Sequence, residues 1–314
     1  MRVRGFLLTL MLLVNLLVTL PATATATPTK SGAWVVREEQ LSDRLLELTV
    51  HSTAVGRDVG VRLLLPPDWR EHPRRDWPTL YLLHGCCDGD TGYRSWTDKT
   101  DVTELTSRTN VLVVMPEAGP TGFYSNWLSG PKWETFHLTE LRGLLEREYR
   151  SGHRRAVAGL SMGGFGALSY AARHPGFFRA AASYSGLVHT TANPDVVEWV
   201  LSTLGDDPDA LWGDPVTHAR IWAAHNPYDL AKRLRGIPVY ISSGNGEPGP
   251  LDPPDAEFDS LEQILNEQSA AVVDRLRAEH VRVHADLYGP GRHIWPYWER
   301  ALHRSLPMLV GAIT

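Results

Sequence analysis

A serine at the centre of a glycine-rich turn is the clearest chemical feature of this sequence. Ser161 lies in a Gly-x-Ser-x-Gly motif, residues 159–163, after an apolar run and before small residues that can open a helix. Small flanking residues allow a tight strand-to-helix turn that exposes the serine hydroxyl. Such a hydroxyl can attack a carbonyl carbon, and the backbone N–H of Met162 would then face the developing oxyanion.

A serine nucleophile needs a base, and His293 is the predicted one. At neutral pH the hydroxyl is a weak nucleophile, so a histidine must remove its proton and a carboxylate must orient that histidine. When the serine follows a strand in this way, the acid comes later in the chain and the histidine last. His293 lies in a Gly/Pro-rich loop after the last predicted strand, 281–287.

The remaining groups of such a site are sought after two other predicted strands. The loop after 79–83 reads His84-Gly85-Cys86-Cys87, and we expect the N–H of Cys86 to be the second oxyanion donor. The acid should follow the strand 239–242, but position alone does not choose among six carboxylates. They are Glu247, Asp252, Asp255, Glu257, Asp259 and Glu262.

The pattern of elements predicts an α/β fold. Short apolar runs alternate with amphipathic helical segments, which is typical of a mostly parallel central sheet with helices on both faces, in a single domain. The predicted strands are 45–50, 59–65, 79–83, 111–115, 157–160, 180–184, 239–242 and 281–287. The predicted helices are 133–149, 162–173, 195–204 and about 256–279.

The N-terminus has the pattern of a secretory signal peptide. Arg2 and Arg4 precede an apolar stretch, 6–20, and small residues follow at cleavage spacing. We predict cleavage of residues 1–26, after Ala24 or Ala26, and export of a single catalytic domain, 27–314. The net charge of −5 with no basic run gives no support to nucleic-acid binding, and no stable protein partner is implied.

The only two cysteines are neighbours, Cys86 and Cys87. They cannot join distant segments, so the fold needs no disulfide framework, and no second pair at ligand spacing suggests zinc. Two hypotheses remain: buried reduced side chains, or a vicinal disulfide that constrains residues 84–87, which we call the oxyanion loop.

Several longer motifs resemble one family, the antigen 85 mycolyltransferases and related secreted esterases of the esterase D type. The likeness covers nearly all of the mature chain. It rests on Tyr81-Leu-Leu-His-Gly85, Phe123-Tyr-Ser-Asn-Trp127, Trp133-Glu-Thr-Phe136, Gly159-Leu-Ser-Met162, Ser243-Gly-Asn-Gly246 and Gly291-Arg-His-Ile-Trp-Pro-Tyr-Trp298. The resemblance implies an α/β-hydrolase fold and acyl transfer through a serine acyl-enzyme, to water or to another hydroxyl.

Roles carried over from this family make Ser161 the nucleophile and His293 the base. The mycolyltransferase pattern has a Leu-Glu early in a helix, which matches Leu261-Glu262 and favours Glu262 as the acid, with Glu247 as second choice. Cys86 and Met162 would supply the oxyanion N–H groups. We also expect substrate contacts from His84, Trp127 and Trp295, and the resemblance implies no metal or organic cofactor.

Departures from the mycolyltransferase pattern favour water as the acyl acceptor. That pattern has an aspartate at the position of His84 and Leu-Arg at Cys86-Cys87, and these residues contribute to its sugar site. A secreted esterase acting on carboxylic esters, including those of lipids or glycolipids, is therefore the leading hypothesis. The alternatives are an acyltransferase that uses a sugar or glycerol hydroxyl, and a catalytically silent binding protein with the same fold.

Overall fold

The computed structural model describes residues 32–87 and 89–314, and in this part of the chain nine strands form one sheet. The strands are β1 Ala33–Gln40, β2 Leu45–Ser52, β3 Arg57–Leu64, β4 Trp77–Leu83, β5 Leu112–Pro116, β6 Ser151–Leu160, β7 Ala180–Tyr184, β8 Val239–Ser243 and β9 Val283–Leu287. Their order across the sheet is β1-β2-β3-β5-β4-β6-β7-β8-β9. The strands β1, β2, β3 and β5 pair antiparallel, and every pair from β5 to β9 is parallel.

The central strands are buried on both faces, as the continuous apolar runs indicate. In β4, Leu80 and Leu82 belong to one core cluster, whereas Tyr81 and Leu83 belong to the other. Successive strand side chains point to opposite faces of a sheet, so the two clusters are its two sides. A strand with apolar residues at every position is therefore buried on both faces of the sheet.

Helices cover both faces. The α-helices are α1 Ser95–Lys99, α2 Val102–Leu105, α3 Trp133–Thr135, α4 Arg142–Glu148, α5 Met162–Arg173, α6 Pro194–Thr203, α7 Pro208–Trp212, α8 Ala219–His225, α9 Pro227–Leu230, α10 Ser260–Ala278 and α11 Trp295–Gly311. A π-helical segment, Phe136–Leu141, joins α3 to α4, and 3₁₀ turns occupy Gly89–Arg94 and Ala231–Leu234. Helix α11 packs on one side through Leu302 and Leu306, and α5 and α10 pack on the other through Phe165 and Leu276.

Most predicted elements are present, with shifted ends. The predicted helix 133–149 is one helical stretch with a π turn inside it, and the predicted helix 256–279 begins only at Ser260. Strand β6 begins at Ser151, six residues before the predicted start. Strand β1 was not predicted, because most of its residues are exposed at the sheet edge and no apolar alternation marks them.

The carboxyl ends of β6, β7, β8 and β9 lie side by side, because these four strands are parallel neighbours. Loops that follow them therefore meet at one edge of the sheet, where open α/β sheets bind ligands. The predicted signal peptide, 1–26, lies outside the described residues. Among those residues, no helix combines the length and apolarity needed to cross a bilayer.

Candidate active site

The serine turn connects β6 to α5 and holds Ser161 in a strained conformation. Its φ is 53° and its ψ is −121°. A Cβ atom at Gly159 would lie 2.2 Å from the Gly163 carbonyl oxygen, and one at Gly163 would lie 2.4 Å from the Leu83 carbonyl oxygen. The two glycines therefore let three backbone segments converge beneath the serine.

An acid–base pair lies across the same edge of the sheet. His293 Nδ1 is 2.8 Å from Glu262 Oε2, and Glu262 is fully buried in the first turn of α10. Asp259, the N-cap of α10, accepts hydrogen bonds from the N–H of Glu262 through Oδ1 and from the N–H of His293 through Oδ2. Asp259 thus ties the histidine loop to the helix that carries the acid.

The second carboxylate oxygen of Glu262 is held by three donors. Oε1 accepts hydrogen bonds from Ser185 Oγ at 2.8 Å, Ser243 Oγ at 2.8 Å and Gly244 N at 2.7 Å. Hydrogen bonds to a charged group are stronger than neutral ones, and a buried carboxylate requires them. Oε2 therefore remains directed at His293.

Ser161 and His293 line the same cavity and form no hydrogen bond with each other. In unliganded serine enzymes this contact is often loose and shortens when substrate binds. The Trp298 indole and the His293 ring pack at nearly a right angle, with centroids 4.9 Å apart and planes at 82°. This packing restricts the orientation of the His293 ring.

The predicted oxyanion donors flank the serine. Within the described residues, the backbone N–H groups of Cys86 and Met162 donate no hydrogen bond to the protein. The next N–H, that of Cys87, donates to Pro120 O at 3.2 Å. Gly85 approaches closely, since a Cβ atom there would lie 3.3 Å from Ser161 Cβ. Two N–H groups beside a nucleophile can stabilise a developing oxyanion.

The sulfur atoms of Cys86 and Cys87 are bonded to each other, as in the second cysteine hypothesis. Cys87 has a φ of 77°, and both residues line the cavity. The disulfide therefore constrains the loop next to the predicted oxyanion donor.

His84 is not placed to contact substrate, contrary to the expectation. Its side chain is 1% exposed and lies outside the cavity wall. Nδ1 lies 2.6 Å from Gly85 O, and the hydroxyl of Tyr124 donates to His84 O at 2.8 Å. Burial acts to raise the pKa of neighbouring Glu117, but His84 and backbone N–H groups together bring it below its usual value. His84 thus belongs to a buried polar cluster behind the oxyanion loop.

The two predicted tryptophan contacts differ. Trp127 is 5% exposed, donates from Nε1 to Gly122 O at 3.0 Å and takes no part in the cavity, so a substrate contact is wrong for it as well. Trp295 does line the cavity and packs edge-on against Trp298. Large loop aromatics pack internally as readily as they line clefts, and only the tertiary structure separates the two cases.

The cavity at the serine has a volume of about 380 Å³ and a mostly apolar wall. Among the described residues, Ser161 supplies the hydroxyl and His293 the imidazole of its wall. The apolar wall includes Leu187, Val196, Trp199, Val200, Leu261 and Ile294. A larger open groove of about 930 Å³ lies at the amino ends of β7, β8 and β9, and none of the predicted site residues lines it.

The carboxylate of Glu247, the second-choice acid, forms no bond with His293. This residue is exposed, and its carboxylate accepts a hydrogen bond from Asn245 Nδ2 at 3.0 Å. Ser185 and Ser243 were missed as site residues, because nothing in the local sequence marks a serine that bonds a distant carboxylate. Asp259 carries a usable signal, since Asp-x-x-Glu before an apolar periodic segment is a helix N-terminal pattern.

Two surface groups of carboxylates with a histidine occur among the described residues. They are Asp68 with Glu71 and His72, and Asp101 with Glu299 and His303. Neither group contributes a residue to the wall of the cavity at Ser161. In the second group, His303 Nε2 already forms hydrogen bonds with the Asp101 carboxylate.

The sheet order and the serine turn define this protein as an α/β-hydrolase. The comparison with known proteins agrees: the family model described as "Putative esterase" matches residues 52–309, and the chain belongs to that family. The structure of the MPT51 protein of Mycobacterium tuberculosis superimposes with a TM-score of 0.71 at 25% identity, covering 88% of this chain and 99% of that one.

Two kinds of relative share substantial sequence with this chain. Esterase Rv1288 of M. tuberculosis is 35% identical over 245 residues, 74% of this chain and 52% of that protein. The chain therefore spans about half the length of this relative. The diacylglycerol acyltransferase/mycolyltransferase Ag85B of Mycobacterium leprae is 30% identical over 279 residues, 83% of this chain and 82% of that protein. The predicted family resemblance is confirmed.

Proposed function

We propose that this protein is a secreted serine esterase that hydrolyses carboxylic esters through an acyl-enzyme on Ser161. The observation that carries the proposal is the buried Glu262 carboxylate, which lies 2.8 Å from Nδ1 of His293, a residue that lines the same cavity as Ser161. A carboxylate, an imidazole and a serine hydroxyl in this order form the machinery of acyl transfer.

The proposed reaction has two stages. His293 removes the proton of Ser161 Oγ as this oxygen attacks the ester carbonyl carbon, and the N–H groups of Cys86 and Met162 stabilise the oxyanion. The alkoxide leaves with the proton from His293, which gives the acyl-enzyme and an alcohol. Water then attacks the acyl carbon while His293 takes its proton, and the carboxylic acid leaves as Ser161 regains a proton.

The apolar cavity wall indicates that the acyl group of the substrate is apolar and binds inside the cavity. Val196 and Val200 of α6 line the cavity that contains Ser161, and the exposed Trp199 belongs to the same wall. Burying an alkyl chain against such side chains contributes about 0.8 kcal/mol per methylene group. Esters with several carbons in the acyl chain should therefore be better substrates than acetates.

Replacement of the nucleophile tests the proposal. Purified residues 27–314 should release nitrophenol from nitrophenyl esters, and Ser161→Ala should reduce kcat by at least about a thousandfold. A fluorophosphonate probe should label the wild type and not the variant, with circular dichroism showing that both are folded. Full activity in Ser161→Ala would end the proposal.

A second candidate is acyl transfer to a sugar or glycerol hydroxyl, favoured by the likeness to the acyltransferase of M. leprae. Product analysis with glycerol or a sugar present separates the two activities. An acceptor pocket worth ~3 kcal/mol would shift partitioning by about a hundredfold towards the acylated alcohol. If the free acid remains the sole product at high acceptor concentration, this candidate fails.

We also propose export, with residues 1–26 as a cleaved signal peptide and 27–314 as the catalytic domain. The charged start, apolar run and small-residue site of the sequence support this. N-terminal sequencing of protein recovered from the culture medium should begin after Ala24 or Ala26, and an intact Met1 would contradict it.

A further inference from the structure

The buried hydroxyl of Ser185 has no part in the mechanism above, although it touches the acid. We propose that Ser185 is a positioning residue: it holds the Glu262 carboxylate in the orientation that His293 requires. The inference rests on the proposed function. The main observation is that Ser185 Oγ donates a 2.8 Å hydrogen bond to Glu262 Oε1. The Ser185 side chain is buried, with 1% of its surface exposed.

Ser185 occupies the right place in the sheet for this task. It directly follows β7, whose neighbours β6 and β8 end at Leu160 and Ser243. Its own N–H donates to Ser242 O at 2.7 Å, which fixes its backbone to β8. The side chain therefore projects from rigid structure between the serine turn and the acid.

The direction of the hydrogen bonds commits the Ser185 hydroxyl to the carboxylate. Trp298 Nε1 lies 3.3 Å from Ser185 Oγ, and an indole N–H can only donate. Ser185 Oγ therefore accepts from Trp298, and its own hydrogen is donated to Glu262, whose carboxylate accepts. The same Trp298 ring packs against His293, so one side chain supports both members of the acid–base pair.

Ser243 is less committed than Ser185. Its hydroxyl lies 2.8 Å from Glu262 Oε1 and 3.1 Å from Gly244 O, so two acceptors compete for one hydrogen. The Gly244 N–H also reaches Oε1, at 2.7 Å, but it belongs to the backbone. Within the described residues, the Ser185 hydroxyl has Glu262 as its one acceptor, whereas the Ser243 hydroxyl has two.

The backbone at Ser185 suits a glycine. Its φ is 45°, in the left-handed region, where a residue with a Cβ atom is strained. A glycine there would relieve the strain and lose the hydroxyl. Ser185→Gly is therefore a variant that separates catalysis from folding, because any loss of activity cannot be attributed to added strain.

We expect Ser185→Gly to lower kcat about tenfold, the order of one hydrogen bond to a charged group, and to leave KM within about twofold. KM should hold because Ser185 does not line the cavity. The rate of Ser161 labelling by a fluorophosphonate should fall by the same factor, and circular dichroism should show that the variant is folded at the assay temperature. Ser183→Ala is the matched control: Ser183 lies two residues away, is equally buried, and its hydroxyl has no partner in the described structure.

A double-variant cycle shows whether Ser185 acts through Glu262. In the Glu262→Gln background, Ser185→Gly should change the labelling rate by less than about twofold, because the carboxylate that it positions is gone. A second tenfold loss there, a wild-type rate in Ser185→Gly alone, or an equal loss in Ser183→Ala would each overturn the inference. The Ser161→Ala variant is measured beside them, so a failure of the proposed nucleophile is recognised separately.

Discussion

At the scale of single residues, the proposed chemistry depends on a few backbone N–H groups and one carboxylate. Glu262 is fully buried and accepts four hydrogen bonds, one of them from His293 on our assignment. The N–H of Cys86 has no partner within the described residues and lies in a loop closed by the Cys86–Cys87 disulfide. The loop geometry next to the serine is therefore constrained by a bond that a reductant can remove.

We predict that reduction of this disulfide lowers turnover. Removing an oxyanion donor typically costs 10²–10³ in kcat, and a donor that is loosened rather than removed should cost less, about tenfold. Nitrophenyl ester hydrolysis is compared before and after treatment with a phosphine reductant, and thiols are counted by mass spectrometry. A Cys86→Ser/Cys87→Ser variant serves as control, because it should not respond to the reductant. Unchanged kcat with two free thiols would contradict the prediction.

At the scale of elements, the junction of β4, β6 and α5 determines where Ser161, the proposed nucleophile, lies. A Cβ atom at Gly163 would meet the carbonyl oxygens of Leu83 and His84, at 2.4 and 2.5 Å. The end of β4 and the start of α5 are therefore in direct contact, and β4 continues into the oxyanion loop. Any side chain between them pushes the oxyanion loop away from the serine.

We predict that Gly163→Ala destabilises the protein by about 2–3 kcal/mol and also lowers kcat. The reason is steric, since backbone atoms cannot move aside as a flexible side chain can. Urea unfolding measures the first effect and ester hydrolysis the second. The control is Gly143→Ala in α4, where a Cβ atom meets only the guanidinium of Arg147, at 3.1 Å. That variant should be neutral, or more stable by up to about 1 kcal/mol; equal losses in both variants would refute the steric explanation.

At the scale of the whole molecule, two buried histidines link stability to pH. Burial lowers the pKa of His137 to about 4 and that of His225 to about 4, in each case mainly by desolvation. In the unfolded chain both pKa values are near 6.5. Between these values the unfolded state binds more protons than the folded state, so folding is favoured less as the pH falls.

We predict that the free energy of unfolding decreases as the pH is lowered from about 7 to 5, by on the order of 2 kcal/mol for each of the two histidines. Urea unfolding at the two pH values measures this. His225→Gln should show a smaller decrease than the wild type, because one of the two groups is gone. An identical decrease in this variant would show that other groups carry the dependence.

Much of the fold could be predicted because its signals are local. The continuous apolar runs of β4 to β8 and the helical spacing of α5 and α10 are written in adjacent residues. The exposed edge strand β1 was not predicted, because its residues show no apolar–polar alternation. The predicted start of helix α10, at about residue 256, lies before its actual start at Ser260. Residues 256–259 combine acidic and apolar side chains, as the first turn of a helix often does.

In the candidate site, too, the features with local sequence signals could be predicted and the contacts between distant residues could not. The sequence by itself determined the serine turn, the histidine loop and their order along the chain, because glycines and the succession of strands are local features. Position along the chain left six carboxylates open, and the family resemblance favoured Glu262 over Glu247. The tertiary structure places the Glu262 carboxylate against His293, and it places Ser185 against that carboxylate, 77 residues away. It also buried His84 and Trp127, which the sequence could not distinguish from cavity residues. The physical reason is that such contacts depend on which strands are neighbours and on how helices pack against them, and no local pattern encodes either.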